Sequence, residues 1–200
     1  MRAPRVAFAM FPGLVAAVAM AAEPPARLQV KIGDARTVVE TGKAAEIMLD
    51  GKRVRLLIEE LPTRRFDEAG VRFDYPRHFP WEEDGDSWTL DGNSAVVIIT
   101  LGEAGQVATP TELLDGIEEA FKTKRRAKRE PVMLETRQGR IEGLAAIVKL
   151  ASSSIRNEAY VLERSRGPVI LLLQDSLDDA GKPTAEFIDM RKRLVDTLEY

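Results

Sequence analysis

Cysteine is absent from the 200 residues, and histidine occurs once. The first absence excludes disulfides, thiolate zinc sites and thiol redox chemistry. The second leaves His78 as the only imidazole base, and one histidine makes a poor metal site because such sites need several ligands. Phosphate-binding signatures are missing too. "ITLGEAGQVATPTELL" reads as strand, loop and helix, but its loop offers only Gly102-x-x-Gly105, without a third glycine or a Gly-Lys-Ser/Thr ending. "GNSAV" (92–96) opens like a serine-hydrolase elbow and ends in Val instead of Gly. No internal repeat or low-complexity tract stands out. No catalytic motif, cofactor site or metal motif survives this reading, and none is assigned.

One long apolar run is present. Val6–Met20 carries no charge, follows Arg2 and Arg5, and leads into Ala19-Met20-Ala21. That order predicts a secretory signal peptide over 1–21, cleaved after Ala21. The run is broken by Pro12-Gly13 and is shorter than the ~20 residues a membrane-spanning helix needs. Lipidation at this cleavage site would need a Cys and is excluded. The mature chain is expected to be exported, periplasmic or extracellular, with no transmembrane segment. Loss of Arg2 and Arg5 takes the formal net charge from −3 to −5. A net-acidic exported chain is a poor general nucleic-acid binder, so nucleic acid is not an expected partner.

Past a short leader the chain alternates like β structure. "LQVKI" (28–32), "RTVVE" (36–40) and "AEIMLDGKRVRLLIEEL" (45–61) give strand candidates, the last turning at Asp50-Gly51. "PTRRFDEAG" (62–70) breaks the pattern and reads as a linker. A second β series starts with "VRFDY", stopped by Pro76, and continues through "SWTL" and "AVVIITL". "AVVIITL" is nearly continuous in apolar residues, as in a strand buried on both faces. Thr109, Pro110 and Glu112 form a capping box with Pro at the first position, opening a helix over 109–124 with Leu113, Leu114, Ile117 and Phe121 on one face. Four more strand candidates precede a helix from about Pro183 to Leu198, striped by Phe187, Ile188, Leu194, Val195 and Leu198. Strands, helix, strands, helix with hairpin-like links predict an α+β fold. Its central sheet is expected to be mainly antiparallel, with helices on both faces (an α-β-α sandwich). An N-terminal β-hairpin extension over 22–65 precedes the main domain at 66–200.

Two stretches stand out chemically. "KTKRRAKR" holds Lys122, Lys124, Arg125, Arg126, Lys128 and Arg129. Cations favour a helix C-terminus, but six exceed what a helix end needs, so these residues are the expected docking patch for an envelope protein or an anionic surface. "VRFDYPRHFPWEEDGDSW" (71–88) gathers Phe73, Tyr75, Phe79, Trp81, Trp88 and His78. Its strand, Pro76 and "FPW" read as a packing corner in which Trp81 is buried and His78 is dispensable. The acids of "EEDGD" (82–86) lack the spacing of a calcium loop and read as a solvated loop.

"VRFDYPRHFPW", the hairpin ending in "AVVIITL", the capped helix, "GLAAIVKL", "AYVLERSRGPVILLLQ" and the final amphipathic helix together resemble the PsbP-like proteins over about 66–200. That family includes the extrinsic photosystem II subunit and small secreted bacterial relatives. The resemblance implies an α-β-α sandwich and binding or assembly support in place of catalysis. The expected function is therefore an exported, non-enzymatic binding or assembly-support module acting on an envelope partner. Two alternatives stay open. One is a small hydrolase or metal-dependent enzyme using His78 with the acids of 82–86; the other is a carrier of a small apolar ligand between sheet and helix.

Overall fold

A computed structural model describes residues 25–102, 109–121, 127–150, 153–164 and 166–200. The predicted signal peptide and its cleavage site lie outside these residues. The chain divides into two compact units, one ending at Glu60 and the other spanning Leu61–Tyr200.

The first unit is two antiparallel hairpins, β1 (Arg27–Ile32) with β2 (Ala35–Glu40) and β3 (Ala45–Leu49) with β4 (Lys52–Leu56). Asp50 and Gly51 turn the second hairpin with φ of 51° and 74°. Two successive positive φ angles match the twist of the flanking strands, which is why Asp-Gly marks such turns. Leu28, Val30, Ile32 and Val39 share one face of the first hairpin. Ala45, Ile47, Leu49 and Leu56 share one face of the second. Among these eight only Val39 is buried.

The second unit is of the α+β class and mostly antiparallel β. Residues 62–70 are not a linker: they form β5 (Thr63–Glu68), paired with β6 (Val71–Pro76), and the turn between them. The sequence signal there was weak because Phe66 is the one buried residue of β5 and its neighbours are charged. Seven strands then make one antiparallel sheet in the order β10-β11-β12-β13-β9-β8-β7. They are β7 (Trp81–Asp84), β8 (Ser87–Asp91), β9 (Ala95–Leu101), β10 (Arg129–Thr136), β11 (Gly139–Lys149), β12 (Ser154–Leu162) and β13 (Val169–Ser176). Two helices pack on it, α1 (Pro110–Ala120) and α2 (Ala185–Thr197).

α1 starts at the expected capping box: the Thr109 hydroxyl accepts from Glu112 N, and the Glu112 carboxylate accepts from Thr109 N. It buries Leu114 against Ala146 and Ala159, with Leu144 and Leu172 alongside. Phe121 departs from the expected stripe; it is the C-cap residue and is exposed. α2 belongs to the larger core. Phe187, Met190 and Leu194 pack there with Phe73, Tyr160, Leu171 and Leu173. Their i, i+3, i+7 spacing is one helical face, whereas Ile188, expected in that stripe, is 57% exposed. β9 is likewise not buried on both faces: Ala95, Val97 and Ile99 are buried, and Val96, Ile98 and Thr100 are half-buried.

Both sheet edges carry guards against edge-to-edge pairing. β7 is short and its three acids are exposed. β10 contains Pro131, and Arg191 Nη2 donates to the Met133 carbonyl at 2.7 Å.

Candidate functional site

The aromatic corner is packing, with one correction. Phe73, Tyr75, Phe79 and Trp88 are buried. Trp81 is 44% exposed. It pairs with buried Leu90 and so points to the same face, but it sits on the edge strand, one position beyond the side chains that core residues cover. The acids of 82–86 lie on β7 and its turn to β8, not in an irregular loop. No group of three or more acids and His able to hold a metal occurs among the described residues.

His78 meets a carboxylate that the sequence reading did not select. Its Nε2 lies 2.7 Å from Glu186 Oε1, on the first turn of α2. Glu186 also accepts from Asn93 Nδ2 (3.1 Å), Ser94 N (2.6 Å), Ser94 Oγ (2.9 Å) and Ala95 N (3.1 Å). Burial pushes this carboxyl up, but the His78, Ser94 and Asn93 bonds overcome it and hold it at about 2. The Ser94 hydroxyl has a carboxylate at 2.9 Å and Thr184 Oγ1 at 3.0 Å as partners for its single proton, and not an imidazole. A nucleophilic serine needs a base as hydrogen-bond partner, and a carboxylate held this low is a weak one. The cluster ties the β8–β9 turn to the start of α2.

Of the expected docking residues, Lys122, Lys124, Arg125 and Arg126 lie outside the described residues. Lys128 is exposed. Arg129 turns back onto α1, with Nη1 2.6 Å from Glu118 Oε1 and Nη2 2.6 Å from Asp115 Oδ1.

The described residue cluster that combines fixed charge with open space lies elsewhere. Arg156, Glu158 and Tyr160 alternate along β12 and so point to one side. Glu158 is 3% exposed and accepts from Arg156 Nε (2.8 Å), Tyr160 Oη (2.7 Å) and Arg191 Nε of α2 (3.2 Å). Burial works to raise its pKa; the bonds from Arg156 and Tyr160 and the charges of Arg191 and Arg156 win and lower it. Burial and Glu158 together push the Tyr160 hydroxyl well above its ordinary range, so it stays a neutral donor. Gly143, across the ladder from Tyr160, makes room for that ring: a Cβ there would stand 2.4 Å from Tyr160 Cδ1. Above these groups is an open groove of about 770 Å3 between α2 and strands β10 and β12, with Phe187, Ile188 and Val195 of α2 as its apolar lining. Sequence reasoning missed it, although the Arg-x-Glu-x-Tyr alternation in "SIRNEAYVL" was a usable signal. Two charges and a hydroxyl aligned on one face of a strand must find partners across that face when it is buried.

No family model matches the chain, and no curated protein matches it.

Proposed function

We propose that this chain is an exported, non-enzymatic binding or assembly-support module that serves an envelope partner, with the α2–β10–β12 groove as its recognition surface. The observation that carries this reading is the floor of the groove. A buried carboxylate, Glu158, fixes two guanidinium groups beneath an apolar lining that includes exposed Ile188. Convergent, pre-oriented polar groups in an apolar depression are what a binding site requires. The competing hydrolase reading loses its specific partners, because His78 and Ser94 both spend their bonds on Glu186. A PsbP-like α-β-α sandwich is the finer reading of the fold, supported by element order. It is also supported by β13, where α1 meets Leu172 while the α2 cluster holds Leu171 and Leu173, residues of opposite direction. The basic stretch 122–129 serves as a second contact surface in this proposal, with Lys128 exposed and Arg129 committed to α1.

The test is recovery of partners from envelope extract by the tagged mature chain, by an Ile188→Asp variant, and by a variant with Arg125, Arg126 and Lys128 changed to Gln. Ile188 is exposed, so the fold should tolerate Asp there. Recovery should fall for this groove variant. For the Gln variant it should fall most at low salt, where exposed charges act furthest. Equal recovery by Ile188→Asp and the natural chain would reject the groove as the recognition surface.

A further inference from the structure

The side of the seven-stranded sheet that carries α1 is aliphatic well beyond that helix. α1 packs on β11 and β12 and reaches Leu172 of β13. Among the described residues no helix packs over β9, β8 and β7 on this side. Val96 and Ile98 of β9 and Ile170 of β13 point the same way as Leu172, away from the large core that takes Val97, Ile99 and Leu171. Ile98 pairs with Leu172, and Val161 of β12 pairs with Ile170, so the five side chains are contiguous. All five are half-buried. An antiparallel sheet that turns one face to water normally carries polar residues there, and a contiguous apolar surface marks an interaction site. Acids border this one. Glu82 pairs with Thr89, Asp84 with Ser87 and Asp91 with Val96, and Thr89 in turn pairs with Ile98, so all three carboxylates belong to the aliphatic side. The three acids are exposed, and their carboxylates make no hydrogen bond or ion pair with the described residues. Strands β7, β8, β9 and β13 contain no Lys or Arg, so this half of the sheet brings no cation of its own.

We propose that this face docks a cationic amphipathic helix of a partner protein, its apolar stripe on Ile98, Ile170 and Leu172 and its cations beside Glu82, Asp84 and Asp91. α1 already shows that a helix suits this side of the sheet, where Leu114 sits on Ala146 and Ala159. Three strands at about 4.8 Å spacing span about 10–15 Å, the width of one helix. Unmatched acids along one border select a partner that brings Lys or Arg, and charge complementarity of this kind fixes its orientation. The same acids disfavour other occupants. An anionic lipid surface is repelled by them. A second copy meeting this face with its own, as a two-fold dimer must, brings aliphatic side chains and acids but no cation from these four strands. The surface lies on the opposite side of the sheet from the α2 groove, so it stands or falls independently of that groove.

The experiment titrates the full mature chain with an amidated peptide of leucine and lysine, about 18 residues long, whose leucines fall on one helical face. Two controls are the same peptide with glutamate in place of lysine, and a scrambled version whose leucines surround the helix. Binding is followed by calorimetry and by amide chemical shifts. The ordered lysine peptide should saturate one site and move the amides of Val96, Ile98 and Ile170. The scrambled peptide should bind about tenfold more weakly, having no apolar face to lay down, and the glutamate peptide should not bind. Glu82→Lys should weaken the ordered peptide about fivefold, the scale of reversing one rim charge. Glu83→Lys makes the same change of charge on the same strand, but Glu83 pairs with Trp88 and so belongs to the other side; it should cost less than about twofold. Ile98→Thr keeps a β-branched side chain and should weaken binding about fivefold through lost apolar contact. Each variant is checked by its thermal unfolding curve. Equal losses in Glu82→Lys and Glu83→Lys would mean that net charge alone attracts the peptide and would overturn the proposal. So would equal binding of the scrambled peptide, shifts that spare Val96, Ile98 and Ile170, or tighter binding to phosphatidylglycerol vesicles than to the peptide. Sedimentation of the chain alone decides the remaining occupant: a dimer that Ile98→Thr dissociates would give this face to a second copy and reject the partner helix, and a monomer supports it.

Discussion

Single residues decide whether a polar corner is chemistry or packing, and Glu186 is the clearest case. Its carboxyl is mostly buried, with 15% of the side chain exposed, and its pKa is lowered from 4.5 to about 2 by bonds from His78, Ser94 and Asn93. A depressed acid contributes stability that is fully present above its ordinary pKa and is lost as pH falls through its folded value. Glu186 therefore contributes about 3 kcal/mol at neutral pH, disappearing between about pH 4.5 and 2. Chemical unfolding from pH 7 to 2.5 should show the natural chain losing that increment relative to Glu186→Gln, with the two curves converging at the acid end. Parallel curves would mean that the five bonds do not hold the charge. Trp81 belongs to the same corner and needs a smaller number than a buried ring. At 44% exposure, Trp81→Ala should cost about 1 kcal/mol or less, whereas Phe79→Ala, with no exposure, should cost about 3–5 kcal/mol. Residue identities alone could not separate these two rings. Both are aromatic beside a proline, and what distinguishes them is distance from the sheet edge, a property of strand order.

At the level of elements, local signals were readable wherever one segment decides the outcome. The capping box at Thr109 and the positive-φ pair at Asp50-Gly51 both stand where the sequence placed them, because each is closed by contacts within four residues. The stripe of α2 was less legible. A 100° step allows either Ile188 or Met190 beside Phe187, and only the position of β6, β9 and β13 under the helix selects Met190. Met190→Ala should accordingly destabilise by about 2–5 kcal/mol, and Ile188→Ala by about 0.5 kcal/mol or less, measured by denaturant midpoints. The reverse ranking would place the wrong face of α2 on the sheet. The candidate groove was least legible of all. It joins β10, β12 and α2, and Glu158 to Arg191 spans 33 residues, so no local pattern could pair them. Removing the acid tests that pairing. Glu158→Ala should cost about 1–3 kcal/mol, because it leaves the buried Tyr160 hydroxyl without its acceptor and removes a bond from each of two guanidinium groups.

The whole molecule divides its stability unequally. The unit spanning Leu61–Tyr200 owns the large core, with Phe73, Phe79, Tyr160, Leu171, Leu173, Met190 and Leu194 almost without exposure. Its C-terminus is tied in as well: Arg72 and Glu199 exchange both backbone hydrogen bonds at 2.8 Å. The unit ending at Glu60 presents Leu28, Val38, Met48, Val54 and Leu57 as exposed side chains and buries one hydrophobic side chain, Val39, among its described residues. Two-stranded hairpins are marginal in water unless a third strand or a helix covers their apolar face, and domains of this size rarely fold without a staple. The chain has no cysteine to supply one. Charged β5 reads as a linker in the sequence; its pairing with β6 is what joins it to the larger unit. A fragment of residues 61–200 should therefore unfold cooperatively with a denaturant slope close to that of the whole mature chain, since the slope follows the surface exposed on unfolding. A peptide of residues 22–60 should show no cooperative transition by circular dichroism between 5 and 60 °C, a window in which ordinary mesophilic domains stay folded or melt. A cooperative transition in that peptide would mean that the two hairpins bury each other's apolar faces well enough to stand alone. Failure of 61–200 to fold would mean that its core is incomplete without the N-terminal hairpins.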